Sequence, residues 1–309
     1  MSRRRRVRGH GAARARGEGL RADPRRMVRL AAMATRPTPD AYPDRSIADL
    51  LDLEGRVAVV TGAAQGFGFA AARRLAEAGA AVLLTDRRGD AVEAAAGRLA
   101  DHRERIAWAV GDVSVADDVD GLVSAAVERF GRLDVLVNNA AAYSNVRLEE
   151  MPLDRFAGVL DVNVSGAFWC ARQAARRMIE QGDGGAIVNV TSIDALHPTS
   201  RGMSHYTTSK HALWGLTKCL ALELGPQGIR SNAVAPGPSL TEGAIEYIKA
   251  GAPEGIDIER QWADAATRVP MRRWADPDEI GRVVVFLASD LAAYINGAQI
   301  VVDGGYLLG

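Results

Sequence analysis

Tyr206 and Lys210 stand four residues apart in Tyr206-Thr207-Thr208-Ser209-Lys210, at the start of a stretch with helical period. Positions i and i+4 share a helix face, which brings the ammonium near the phenol. A free phenol titrates near about 10, too high for a proton shuttle at neutral pH, and a neighbouring cation favours phenolate. The pair therefore suits general acid–base work. It also stands out from its background, because the only lysines are Lys210, Lys218 and Lys249. Ser192 lies shortly before Tyr206 and closes the apolar run 186–191. A hydroxyl at the C-terminal end of a strand can hydrogen-bond a substrate oxygen whose charge changes during reaction. Thr191 is the weaker candidate, since strand alternation turns its side chain the other way.

A second segment offers binding chemistry. Thr61-Gly62-Ala63-Ala64-Gln65-Gly66-Phe67-Gly68 joins an apolar run to an Ala-rich helical stretch. Missing Cβ atoms permit a tight turn and let a diphosphate approach the backbone at the positive helix N-terminus. Asp86 ends the next apolar run, where an acid accepts hydrogen bonds from an adenosine ribose. Its charge opposes a 2′-phosphate, and Gln65 leaves the loop without a basic residue, so NAD is expected over NADP. Arg87 and Arg88 count the other way.

These side chains need a scaffold. Short Val/Ile/Leu-rich runs at 56–61, 81–85, 106–110, 133–138, 186–191, 229–235 and 298–302 alternate with helical stretches. The helices are predicted at 67–78, 90–101, 115–130, 153–181, 206–225 and 277–289. Continuous apolar strands mean that both sheet faces are covered, as in parallel sheets. The expectation is one α/β domain of Rossmann type, a doubly wound seven-stranded parallel sheet with helices on both faces, over residues 46–309.

The spacing Gly62-x3-Gly66-x-Gly68 resembles the short-chain dehydrogenase/reductase family, and the resemblance runs from about residue 50 to 309. Asp112-Val113 is similar to the family pair that holds adenine. Asn138-Asn139-Ala140-Ala141 is similar to its N-N-A-G, with Ala141 in place of Gly. Phe67 stands where Ile or Leu is usual. Arg230-Ser231-Asn232-Ala233-Val234-Ala235-Pro236-Gly237 and Val302-Asp303-Gly304-Gly305 complete the match. The resemblance implies cofactor contacts at Gly62, Gln65, Gly66, Phe67, Gly68, Asp86, Asp112, Val113, Asn139, Ala140, Tyr206, Lys210, Pro236, Gly237 and Thr241. It implies that Tyr206 carries the proton, Lys210 also holds the nicotinamide ribose, and Ser192 steadies the substrate oxygen. Asn163, a poor mid-helix residue, is implied to bend its helix and anchor a relay water. Helices 153–181 and 206–225 are implied to pair in a homotetramer.

Charge and composition exclude other classes. Residues 1–36 carry twelve Arg against Glu18 and Asp23, although the whole chain is neutral, so the body is acidic and unsuited to nucleic acid. Residues 1–45 read as a disordered leader that activity does not need. No apolar core follows the arginines, no run is long enough for a membrane span, and Cys170 and Cys219 form no disulfide framework. A cytoplasmic enzyme is expected. Both cysteines are expected in the core. His197, Arg201, His205 and His211 show no metal-binding spacing.

The substrate is expected between the 193–205 loop and a lid at 238–270, where Ile245, Tyr247, Ile248 and Trp262 supply apolar surface and Asp194, His197 and Arg201 polar groups. The activity expected is NAD-dependent interconversion of a secondary alcohol and a ketone. The alternatives are an NADP-dependent 3-oxoacyl-thioester or polyketide ketoreductase and a non-catalytic dinucleotide-binding sensor or scaffold.

Overall fold

Strand β1 (Val57–Thr61) is buried at every position, and so is β4 (Val135–Asn138) beside it. Such strands have no solvent face, which is why their sequences are apolar without alternation. A computed structural model describes residues 44–251, 260, 263–264 and 266–309, with the backbone alone at 247–251. Ser46–Gly309 form one compact unit. After α1 (Ile47–Leu51) and β1 come α2 (Gly66–Glu77), β2 (Ala81–Asp86), α3 (Gly89–Gly97), β3 (Ile106–Val110) and α4 (Ala116–Phe130). Strand β4 leads to α5 (Leu153–Leu160), a π-turn at Asp161–Gly166 and α6 (Ala167–Gln181). Then follow β5 (Gly185–Val190), α7 (Ser204–Leu224), β6 (Ile229–Pro236), α8 (Glu242–Gly251), α9 (Pro277–Ala288) and β7 (Gln299–Val302).

The strands pair in parallel in the order β3-β2-β1-β4-β5-β6-β7. The chain reverses direction across the sheet between β1 and β4, so the loops after these strands part and open a crevice at their C-terminal ends. One core, with Leu75, Leu84, Ile280 and Leu287, lies under α2 and α9. The other, with Leu136, Met178, Ile187 and Ile229, lies on the opposite face. Asp278 on α9 receives hydrogen bonds from Arg73, Arg74 and Arg282, which hold its carboxyl well below the usual carboxylate range. That cluster ties α9 to α2.

The structure differs from the sequence reading in three places. The predicted helix 153–181 is helical over those bounds, but Asp161–Gly166 form a π-turn within it, where Gly166 meets Val113: a Cβ on Gly166 would stand 2.8 Å from the Val113 carbonyl oxygen. Cys170 is buried, but Cys219 is exposed, on the outer side of α7. The predicted helix 90–101 stops at Gly97, and a 3-10 segment at Ala100–Arg105 continues the chain to β3. Trp262 and most of the Arg-rich 1–45 segment lie outside the described residues, as do the side chains of Tyr247 and Ile248.

Candidate active site

The turn after β1 is sewn to the end of β4. Asn139 Nδ2 donates to the Thr61 and Gly62 carbonyls, both at 2.9 Å, and Thr61 Oγ1 accepts from the backbone N–H groups of Asn139 and Ala140. Gly62 and Gly66 have φ of +63° and +59°, the left-handed region that side chains avoid. A Cβ on Gly62 would stand 2.8 Å from Ala140 Cα, and one on Gly68 would collide with the Gly62 carbonyl and Asn139. Glycine is required here, and the loop folds its backbone tightly against the helix start. This cradle fits a dinucleotide diphosphate.

At the end of β2, Asp86 accepts from Ala64 N at 3.4 Å, Arg88 N at 3.0 Å and Arg88 Nε at 3.3 Å. Arg88 also donates to Gln65 Oε1 at 3.3 Å. The carboxylate thus engages one of the two arginines that a 2′-phosphate would seek. Arg87 lies near Asp112, whose carboxyl is held below its usual range, first by the Ser114 hydroxyl at 2.6 Å and further by the Arg87 charge.

At the chemical end, Ser192 leaves β5, while Tyr206 and Lys210 ride the first turns of α7. Lys210 is buried and donates to the Val190 carbonyl at 2.8 Å, with its Nζ 5.5 Å from the Tyr206 ring centre. Burial pushes its pKa down to about 8. Tyr206 is pushed above its ordinary value, chiefly by burial, with Asp194 and Tyr143 acting in the same direction and the Ser192 hydroxyl pulling it partly back. The expected depression of the phenol by Lys210 is not found in this arrangement. The i,i+4 spacing brings the two side chains together, but burial outweighs the proximity.

Asn163 sits behind these groups in the π-turn, 1% exposed. Its amide bonds Ala142 N, Ala142 O and Ser209 Oγ, and Ser209 Oγ donates to the Tyr206 carbonyl. Its side chain is therefore committed to protein partners and does not reach the cleft.

One cleft of about 520 Å³ is lined by Gly62, Gln65, Gly66, Phe67, Asp86, Asp112, Val113, Asn139, Ala140, Ser192, Tyr206, Lys210, Pro236, Gly237 and Thr241. Of the residues singled out in the sequence, Gly68 and Asn163 support its walls from behind. Residues missed there also face it: Tyr143 meets the Tyr206 ring edge-on at 6.1 Å, and Gly243 packs near Gln65. Glu242 was missed as well. Its Oε2 accepts from Gly66 N at 2.9 Å, so the first turn of α8 reaches over the glycine loop. Only the position of Glu242 directly after Thr241 could have signalled this.

Thr191 also borders the cleft, but its hydroxyl is engaged by Val234 O and Gln299. His205 is fully buried against Ser144 at 2.9 Å, with burial lowering its pKa, and His211 bonds its own helix. A second cavity, of about 730 Å³, is bounded by His197, Pro198, Thr199, Arg268, Tyr306, Leu307 and Gly309. Among the described residues no group of His, Cys, Asp or Glu has metal-binding geometry, and no helix is long and apolar enough to cross a membrane.

Known proteins place this fold and site in a class. A family model described as enoyl-(acyl carrier protein) reductase matches residues 62–307. The chain is 41% identical over 254 residues to an L-rhamnose 1-dehydrogenase (NAD(P)(+)) of Azotobacter vinelandii, covering 81% of this chain and 96% of that one. It superposes on a short-chain type dehydrogenase/reductase from Mycobacterium marinum with TM-score 0.77 and 34% identity, over 86% of this chain and 100% of the other. A gluconate 5-dehydrogenase from Burkholderia cenocepacia, in complex with NADP and tartrate, gives TM-score 0.76 and 31% identity over 85% of this chain and 100% of the other. The chain belongs to the short-chain dehydrogenase/reductase family. It is an NAD(P)-dependent oxidoreductase acting on CH–OH groups.

Proposed function

We propose that the chain is an NAD-preferring dehydrogenase that oxidises a secondary hydroxyl of a polyhydroxylated substrate: a sugar, sugar acid or polyol. The observation that carries this reading is the presence of Ser192, Tyr206 and Lys210 on the wall of the same cleft as the glycine loop and Asp86. The names of the rhamnose and gluconate relatives support the substrate class. Bound at the glycine loop and Asp86, the nicotinamide dinucleotide supplies a hydride acceptor for the carbinol carbon. Tyr206 takes the hydroxyl proton as phenolate, Ser192 holds the reacting oxygen, and Lys210 provides the cation beside the ring. Asn163 holds the frame behind them. Asp86 supports NAD, because it sets a negative charge where NADP carries a phosphate and already engages Arg88.

A second reading is NADP-dependent reduction of a 3-oxoacyl thioester, favoured by the acyl-carrier description of the family model and by Arg87 beside the cleft. A panel of L-rhamnose, gluconate, tetritols and a 3-oxoacyl thioester, each assayed with both cofactors, separates the two. The accompanying variant is Tyr206→Phe. It keeps the ring and removes the transferable proton, so cofactor affinity is retained and turnover falls at least about a thousandfold. Near-normal turnover in Tyr206→Phe would overturn the assignment.

The working unit we infer is residues 46–309 in the cytoplasm, and a chain beginning at residue 46 retains its turnover. A homotetramer is supported by Phe168 and Ile179 on α6 and Leu222 on α7, which are large apolar groups left exposed. Light scattering at micromolar concentration tests it.

A further inference from the structure

Ser192 is followed by a single 3-10 turn, Ile193–Ala195, which its own hydroxyl caps by accepting from Asp194 N at 3.1 Å. The Asp194 carboxylate then folds back on the same hydroxyl: Ser192 Oγ donates to Asp194 Oδ2 at 3.2 Å. Asp194 is 7% exposed. Its other partners are Thr199 N at 3.0 Å, Thr199 Oγ1 at 3.1 Å and Thr207 Oγ1 at 3.3 Å. Each of these donors is neutral. A carboxylate ringed by donors acts as an acceptor throughout, which is the behaviour of the anion. With no cation among these partners, its charge acts on the groups nearby.

Two consequences reach the reacting centre. A serine hydroxyl has one proton and two lone pairs. In Ser192 the proton goes to Asp194 Oδ2 and one lone pair to Asp194 N–H, while the remaining side of the hydroxyl faces the cleft and the Tyr206 hydroxyl with which it is hydrogen-bonded. The alcohol's single O–H proton goes to the Tyr206 phenolate, and Ser192 turns its own proton from Asp194 to the substrate oxygen as that transfer proceeds.

The second consequence concerns Tyr206. The charged or titratable groups around its phenol are Lys210 on its own helix, Asp194 after β5 and Tyr143 after β4. His205, its neighbour, is turned to Ser144 and stands near Arg155. Asp194 is the anion of that set, and it opposes the phenolate. The effect stands on the placement of Asp194 two residues after Ser192 and against Thr207 on the same turn of α7 as Tyr206.

We propose that Asp194 is a positioning residue of this active site: it fixes the direction of the Ser192 proton and sets how readily Tyr206 becomes the base. The proposal rests on Tyr206 being the acid–base group. Asp194 thereby sets the pH range over which the enzyme oxidises alcohols, since its charge delays the ionisation of Tyr206.

The test is the pH dependence of kcat for the best alcohol of the panel, with saturating cofactor, in wild type, Asp194→Asn, Asp194→Ser, Thr199→Val and Tyr206→Phe. Oxidation rises with pH as Tyr206 ionises. Removing the carboxylate charge moves that midpoint to lower pH by about one unit in both Asp194 variants. Asp194→Ser keeps a hydroxyl for the loop, and so serves if Asp194→Asn does not fold. Thr199→Val loosens the same loop while keeping the charge, so its midpoint stays at the wild-type value even where its Tm falls. An unmoved midpoint in a folded Asp194 variant would overturn the proposal, as would an equal shift in Thr199→Val. A wild-type-like profile in Tyr206→Phe would instead overturn the role of Tyr206 itself.

Discussion

The Asn163 side chain clasps the backbone of Ala142 from both sides, accepting from its N–H at 2.7 Å and donating to its carbonyl at 2.9 Å. Ala142 belongs to the loop after β4, and Asn163 to the π-turn 21 residues further along the chain. The clasp pins the loop to the π-turn, and its third bond, to Ser209 Oγ, carries the connection to the turn of α7 that holds Tyr206.

Asn163→Ala leaves the half-buried N–H and carbonyl of Ala142 without their side-chain partners. Losing these bonds costs about 1–2 kcal/mol of stability, because the cleft lets water reach the Ala142 backbone. Turnover falls with it, because the Tyr206 turn loses its anchor. Denaturant midpoints and kcat on one preparation check both effects, and Asn163→Ala with wild-type stability would contradict the clasp.

Lys210 affects stability with a sign that is easily worked out. Its pKa falls from 10.5 when free to about 8 when folded, because burial disfavours the ammonium. Between those values the unfolded chain binds more protons, so stability rises with pH from about 8 towards 10. Above 10 the trend reverses, because unfolded tyrosines ionise while Tyr206 resists. Lys210→Met removes the rise. At pH 7 it relieves a burial cost of up to about 3 kcal/mol, less about 1 kcal/mol for the lost bond to Val190. The variant is expected to be inactive and more stable, and denaturation at pH 7 and pH 9.5 checks it.

Asp86→Asn removes the carboxylate that receives Arg88 through two of its nitrogens. The freed arginine and the lost negative charge both favour a 2′-phosphate. NADP affinity is expected to rise at least about tenfold, equivalent to about 1.4 kcal/mol, while NAD affinity falls. Fluorescence titration of both cofactors decides. Unchanged selectivity would remove Asp86 from the specificity argument.

Glu242 holds the N–H of Gly66 at the start of α2, where a diphosphate also seeks donors. The carboxylate competes for that donor and repels the incoming anion. Glu242→Gln is expected to bind NAD about threefold to tenfold more tightly at low salt, with the gain shrinking as salt screens the charge. Weaker binding in Glu242→Gln would mean that the acid serves the closed site rather than competing for it.

The strands were legible because burial on both faces leaves a continuous apolar run, and β1 and β2 begin and end within a residue of those runs. The site's reactive groups were legible for a related reason. Tyr206 and Lys210 lie within one helical turn, and the glycines within one loop. What could not be read depends on distant partners. Asn163 marked a bend in its helix, but its partner, the Ala142 backbone, and the Val113 that packs close to Gly166 are not marked in the sequence Asp161-Val162-Asn163-Val164. The upward shift of Tyr206 comes from burial by loops after β4 and β5, whereas local spacing suggested the opposite. Cys219 follows a helical apolar pattern, yet α7 turns that position outward.

The second cavity offers position 309 for a different kind of use. Gly309 shares its wall with His197, Pro198 and Thr199, and Thr199 is the residue that grips Asp194. A fluorophore carried on a cysteine at position 309 would therefore sit beside the 193–205 loop and report its movement without touching the reacting groups. Labelling that cysteine requires replacing the exposed Cys219 first, whereas Cys170 is buried and shielded from reagent.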